Sequence, residues 1–250
     1  MSGHSKWSSI KHKKAATDAK KGQAFTKIAR DITMAARNGD PNPEMNPSLR
    51  LAIQKAKQAN MPNDNVKRAI DRATGGGDAD LLQEVQYEGY GPGGTAVIVQ
   101  VITDNKNRTV ADLRMAFSRN GGTLADNGAV SWQFDNRGVI AIDTTKIDPD
   151  EVQLAAIEAG ALDVDVSDGL VEVYTEPGDL HAVRAALEEA KFVIDSAELA
   201  KVPQNKVHLD EKHALTALKL FDWLEDLDDV SRVYSNAEID DAVLEAAAAG

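Results

Sequence analysis

Between residues 25 and 73 the apolar positions recur at helical spacing, with no stretch of strand-like alternation. Phe25, Ile28, Ala29, Ile32, Ala35 and Ala36 fall at i, i+3, i+4 and i+7 and make one apolar face, which Gly39 and Pro41 end. Asn46 as N-cap with Pro47 at the first helical position opens a second helix, whose stripe is Leu49, Ile53 and Ala56 and which Pro62 stops. Asn63 or Asp64 caps a third helix carrying Val66, Ala69, Ile70 and Ala73, and Gly75-Gly76-Gly77 ends it and marks a linker.

Beyond the linker, strands and helices alternate. Residues 95–102 are β-rich and apolar on both faces, which predicts an interior strand. Thr109 with Asp112 three residues on resembles a capping box, opening a helix with Val110, Leu113 and Phe117 inside and Gly121-Gly122 at its end. Strand-like runs follow at 130–134 and 139–142, then a helix near 150–159, strands near 162–166 and 170–175, and a helix over about 179–190. The segments 97–117 and 171–187 both run strand, polar turn, helix, an echo consistent with two similar α+β units. A last helix over 211–227 precedes a strand-like 230–234 and an alanine-rich tail.

Composition narrows the chemistry. The 250 residues include no cysteine, which excludes a disulfide framework, a thiolate metal site and a cysteine nucleophile. With 42% hydrophobic and 27% charged residues the chain sits near the globular average rather than in the disordered class. The strongest apolar stretch, 95–103, is far shorter than the roughly 18 residues of a membrane span, and the polar, basic N-terminus lacks a signal-type apolar region. A cytoplasmic protein with no membrane partner is expected.

Charge is unevenly placed. Residues 1–75 carry fifteen Lys and Arg against six acids, whereas the rest of the chain carries thirteen against thirty-four. Such a partition predicts a polyanion-binding module joined to a part that the same polyanion would repel. The run Lys6-Trp7-Ser8-Ser9-Ile10-Lys11-His12-Lys13-Lys14 mixes cations, hydroxyls and one aromatic, a set suited to phosphate contacts with Trp7 stacking on a base or sugar. Alternatively, Trp7 anchors the arm to a helical core. Lys20, Lys21, Lys27 and Arg30 continue the basic series on the side of the first helix away from its apolar face.

Other constellations are weaker. His4 and His12 lack cysteine or carboxylate companions at ligand spacing, and His208 and His213 around Asp210-Glu211 do not match the H-E-x-x-H zinc pattern. Gly89-Tyr90-Gly91-Pro92-Gly93-Gly94 leads into a strand rather than a helix, so it reads as a tight inter-strand turn needing positive φ and not as a P-loop. Its glycines, with Tyr87 and Tyr90, also offer a backbone surface for a partner. The acids Asp222, Glu225, Asp226, Asp228 and Asp229 invite a Mg²⁺ phosphoryl-transfer reading, against which stands a simple solvated helix face. No nucleophile or dinucleotide motif accompanies them, so neither metal nor cofactor is expected.

A series of motifs, in order, resembles the YebC/PmpR family: Gly3-His4-Ser5-Lys6-Trp7, Ile10-Lys11-His12-Lys13-Lys14, Phe25-Thr26-Lys27, Ala52-Ile53-Gln54-Lys55-Ala56-Lys57 with Asn60-Met61-Pro62, Tyr87-Glu88-Gly89-Tyr90-Gly91-Pro92-Gly93-Gly94, Thr103-Asp104-Asn105-Lys106-Asn107-Arg108-Thr109, and Val130-Ser131-Trp132-Gln133-Phe134. Ala129 stands where many members have serine and Thr123 where many have asparagine. The resemblance implies an α+β protein: a helical domain over 1–77, then two α+β, ferredoxin-like domains, one of 78–129 plus 204–240 and the other over 130–203 inserted in it, and a flexible tail over 241–250. It implies a non-enzymatic regulator of gene expression, described for the family as a probable DNA-binding transcriptional regulator. Mitochondrial relatives are translational activators. Bacterial members have also been placed at the ribosome, which makes ribosomal or transfer RNA the alternative partner. The residues expected to contact nucleic acid are Lys6, Trp7, Lys11, His12, Lys13, Lys14, Lys20, Lys21, Lys27 and Arg30.

Overall fold

In chain order the N-terminal part holds α1 (Asp18–Asn38), α2 (Pro47–Gln58) and α3 (Asn63–Gly75). It is followed by β1 (Gln83–Tyr90), β2 (Ala96–Thr103), α4 (Lys106–Arg119), β3 (Thr123–Ala125), β4 (Phe134–Asp143), α5 (Pro149–Glu158), β5 (Asp163–Ser167), β6 (Leu170–Thr175), α6 (Leu180–Glu189) and β7 (Ile194–Pro203). The chain closes with β8 (Val207–His208), α7 (Glu211–Asp226), β9 (Val230–Ser235), β10 (Ala237–Glu238) and α8 (Asp241–Ala249). These elements come from a computed structural model that describes residues 7, 18–75, 82–167 and 169–249.

The apolar stripes of the three N-terminal helices meet as their spacing dictates. Ile28, Ile32 and Ala36 of α1 pack with Leu49 and Ala56 of α2, Met61, and Ala69 of α3. Asn46 does two jobs. Its side-chain oxygen accepts from Leu49 N at 3.0 Å, capping α2, while its amide donates to Ala35 O and Asp40 O at 2.8 Å and so fixes the turn from α1.

Two compact units share the chain: residues 134–204 form one, and residues 2–133 with 205–250 form the other. In the second, an antiparallel sheet runs β3-β1-β2-β9, with β2 flanked on both edges as its apolar sequence requires. Val97, Val99 and Val101 of β2 pack against Leu113 and Phe117 of α4 and Leu220, Phe221 and Leu224 of α7. On the other side Ile102 meets Met34 of α1 and Leu82, so the helical part is joined to the sheet. The Gly-rich turn is as its sequence predicts: a single 3-10 turn over Pro92–Gly94 links antiparallel β1 and β2, with φ of 71° at Gly93 and 76° at Gly94.

The 134–204 unit follows the succession β4-α5-β5-β6-α6-β7 and has the sheet order β5-β6-β4-β7, antiparallel throughout. Ile140, Ile142, Val171 and Val173 line its core with Val152, Ala156, Val183 and Leu187 from the helices. Its first and last strands are neighbours, with Phe134 opposite Pro203.

Four details differ from the sequence reading. α4 begins at Lys106 with Asn105 as its cap, accepting from Arg108 N at 3.1 Å, and Thr109 is a buried first-turn residue rather than the cap. Residues 131–133 form a 3-10 turn, and the strand runs unbroken over Phe134–Asp143. Residues 194–203, which carry no element in the sequence reading, form strand β7 along the edge of β4. The expected flexible tail over 241–250 contains α8, whose Leu244 is fully buried in the core beside α7.

Candidate nucleic-acid interface

The first helix is basic for a local reason: its polar face lies against the C-terminal end of α7 and the start of β9. There the last carbonyls of α7 and the acids of 222–229 create a concentrated negative potential. Trp7 is buried and donates Nε1–H to Asp222 Oδ1 at 2.8 Å. Gln23 donates to Asp226 O at 2.6 Å and to Asp228 Oδ1 at 3.1 Å. Lys27 Nζ donates to Glu225 O. Arg30 donates to Asp228 O at 2.7 Å and to Asp229 Oδ1 at 3.0 Å. In the return direction, Ser231 Oγ donates to Asp31 Oδ1 at 2.6 Å.

Burial sets the chemistry of this contact. It pulls the Lys27 ammonium down to about 8, although Glu225, Asp226 and Asp228 all favour its charged form. Asp229 is more fully integrated: Arg108 reaches both its oxygens at 2.7 and 3.0 Å, and the buried hydroxyls of Thr103 and Thr109 donate to Oδ2 at 3.0 and 2.8 Å. Burial opposes the charge of Asp229, but these donors outweigh it and hold the carboxyl below its ordinary range. In turn, its hydrogen bonds to the carboxylates of Asp229 and Asp104 raise the Arg108 guanidinium above its ordinary value.

The ten sequence-predicted contacts therefore divide. Lys6, Lys11, His12, Lys13 and Lys14 lie outside the described residues. Lys20 and Lys21 lie in the first turn of α1, with Lys21 exposed. Trp7, Lys27 and Arg30 are drawn to one place, the acidic segment 222–229, and are occupied there. Trp7 is anchored, but in the core beneath α4 and α7 rather than among the N-terminal helices, and a ring that is 7% exposed offers no free face to a base. Sequence reasoning passed over the cations that remain on the helical surface. Lys57 at the end of α2 and Lys67, Arg68 and Arg72 along α3 are all exposed. The polar stripe opposite Val66, Ala69 and Ile70 is the signal that points to them.

The acids of 222–229 are mostly engaged with this basic helix, and among the described residues no group of three or more His, Cys, Asp or Glu side chains could hold a metal ion. His213 Nδ1 lies 2.8 Å from Asp210, the cap of α7, where both serve the helix start. A second buried carboxylate organises a loop instead. Glu88 of β1 accepts from the backbone N–H groups of Gly128, Val130 and Ser131 at 3.0, 2.7 and 2.9 Å. Burial opposes its ionisation, yet those three donors keep its carboxyl below the usual range.

Comparison with known proteins decides the relationship. Residues 5–76 match the domain described as the TACO1/YebC protein N-terminal domain, and residues 82–237 match the TACO1/YebC second and third domain. The chain belongs to the TACO1/YebC family. Its TACO1/YebC relatives include a probable transcriptional regulatory protein of Dehalococcoides mccartyi strain BAV1, 53% identical over 245 residues and covering 98% of each chain. Another, from Herpetosiphon aurantiacus, is 54% identical over 246 residues, again 98% of each. The crystal structure of a conserved hypothetical protein from Aquifex aeolicus is 42% identical, with a TM-score of 0.83 over 90% of this chain and 93% of that one, and shares the mixed α+β architecture. No helix among the described residues is long and apolar enough to cross a membrane.

Proposed function

We propose that the chain is a non-enzymatic, nucleic-acid-binding regulator of gene expression, acting as a DNA-binding transcriptional regulator through its basic N-terminal part. The observation that carries this reading is the charge partition, fifteen cations against six acids before residue 76 and thirteen against thirty-four after it, with Lys57, Lys67, Arg68 and Arg72 presented on the helical surface. Relatives named as probable transcriptional regulatory proteins support the same role. Lys6, Lys11, His12, Lys13, Lys14, Lys20 and Lys21 supply phosphate contacts, which give affinity without sequence information. Trp7, Lys27 and Arg30 position the basic helix against the acidic segment.

A second reading, an RNA- or ribosome-associated translation factor in the cytoplasm, is favoured by the acidic remainder, which disfavours wrapping long DNA. Binding of the full chain to duplex DNA, titrated across salt, tests the arm: Lys13→Ala with Lys14→Ala weakens binding evenly across sequences and lowers the salt slope by roughly two units. An unchanged slope returns those lysines to a solvated surface. In-cell crosslinking separates the two readings, since promoter reads support the transcriptional regulator and ribosomal or transfer RNA reads support the translation factor.

A further inference from the structure

Two aromatic side chains on the β1 side of the sheet remain unexplained by the basic helices. Tyr90, the last residue of β1, is 41% exposed, and Trp132, in the 3-10 turn Ser131–Gln133, is 71% exposed. Their polar atoms converge on one acceptor: Tyr90 Oη and Trp132 Nε1 each donate to Ala129 O at 3.1 Å. The rings are thereby brought to one carbonyl with their polar edges turned inward and much of their surface left to solvent.

The carbonyl is held in a tightly braced loop. Glu88 gathers the N–H groups of Gly128, Val130 and Ser131 on either side of Ala129, and Ala129 N donates to Asp126 O at 3.2 Å. Gln133 N donates to Val130 O at 3.0 Å, and Gln133 Oε1 accepts from Asn236 at 3.3 Å. Tyr90 itself is paired in the sheet with Ala96 and Thr123. A ligand arriving here meets rings that are already placed and pays little ordering entropy. Beside them Gly128, at φ 88°, leaves open space where a side chain would stand.

We infer that Tyr90 and Trp132 form a stacking platform for an unpaired nucleobase, a contact that rests on the nucleic-acid reading above and adds to it a site away from the basic helices. The hydrogen bonding selects this occupant. Aromatic surfaces that read extended peptides use the indole N–H and phenol O–H to bind peptide carbonyls, and both donors are already taken by Ala129. What remains is π surface, and a base needs nothing else to stack. Bases within a duplex are stacked on one another and cannot offer a free face, so the ligand must contain an unpaired stretch.

The test uses the full chain with Trp132→Ala and Trp132→Phe, titrated by fluorescence anisotropy against a single-stranded RNA of about 12 nucleotides, DNA of the same sequence and the matching duplex. Trp132→Ala weakens single-strand binding roughly tenfold, Trp132→Phe restores most of it, and duplex affinity and salt slope stay unchanged. The RNA and DNA arms show which strand is preferred. Unchanged single-strand affinity in Trp132→Ala, or an equal loss on duplex, overturns the platform. So does a decaproline peptide bound by the wild type and lost in Trp132→Ala while single-strand binding persists. The Lys13→Ala, Lys14→Ala pair keeps the two readings apart. If it binds as wild type while Trp132→Ala loses the single strand, the basic arm falls and the platform stands; the opposite pattern removes the platform alone.

Discussion

Replacing Asp229 with alanine removes an acceptor shared by four side chains from α1, β2 and α4. The cost follows from who is left behind. Arg30 and Arg108 keep 22% and 46% side-chain exposure, so each can recover water, and their ion pairs contribute about 0–1 kcal/mol apiece. Thr103 and Thr109 are each 1% exposed and cannot do so. Hydrogen bonds to a charged acceptor are worth about 1.5–3 kcal/mol each, but Thr109 retains Asn105 O at 3.1 Å and Thr103 retains the Thr109 hydroxyl at 2.9 Å, both neutral and weaker acceptors. The expected total for Asp229→Ala is about 3 kcal/mol, and about half of that for Asp229→Asn, which keeps one oxygen. Urea unfolding at neutral pH should show it as a midpoint lowered by roughly 1–2 M. Tryptophan fluorescence reads the right unit, because Trp7, Trp132 and Trp223 all lie outside residues 134–204. Since the folded Asp229 carboxyl is held below its unfolded value near 4, its stabilisation is complete above about pH 4 and fades as the pH falls through the lowered folded value. The gap between wild type and variant should close in the same interval. A neutral-pH loss under about 1 kcal/mol, or a gap that persists in acid, refutes the reasoning.

Lys27 gives a pH signature of the same sign in an alkaline window. With its folded value near 8 and its unfolded value at 10.5, the unfolded chain holds the extra proton between them, so stability gains up to about 1.4 kcal/mol per pH unit across that window. Lys27→Met should flatten that rise relative to wild type in urea titrations at pH 8 to 10.5, and parallel curves would count against it. Glu88→Ala should cost about 2 kcal/mol and speed amide hydrogen exchange at Gly128, Val130 and Ser131 while leaving residues 134–204 protected; uniform exchange across the chain would contradict the loop assignment.

Much of the fold is legible in the sequence where one face of an element is buried. Ile28, Ile32 and Ala36 announce α1, Asn46-Pro47 announces the start of α2, and the two-sided apolarity of residues 96–103 announces a central strand. Legibility fails where tertiary pairing overrides local preference. Residues 194–203 show no strict apolar–polar alternation, yet a sheet edge recruits them as a strand. Residues 241–249 look like a tail because the run of alanines around Val243, Leu244 and Ala247, which pack on the core, masks the apolar spacing of the helix. The site fails similarly. Lysines on a polar helix face look alike in sequence whether they meet solvent, phosphate or a carboxylate, and only the fold reveals that Lys27 and Arg30 meet 222–229. Trp132 was legible as a family motif, but its exposure depends on Ala129 and Glu88, which no spacing displays.

The pairing of Phe134 with Pro203 has a consequence for how the chain finds its shape. β9 must reach β2, so that Ser235 lies opposite Val97, across a long intervening chain that would make such a sheet slow to assemble. Residues 134–204 contain their own complete sheet and core and leave by the strand beside the one on which they enter. Once that segment has collapsed on itself, its entry and exit are as close as two neighbouring strands, and for the rest of the chain it behaves as a short turn. The loop-closure entropy charged to β2 and β9 then falls to that of the residues outside it. The insertion works as a shortcut in the search, letting a discontinuous sheet close nearly as readily as a continuous one.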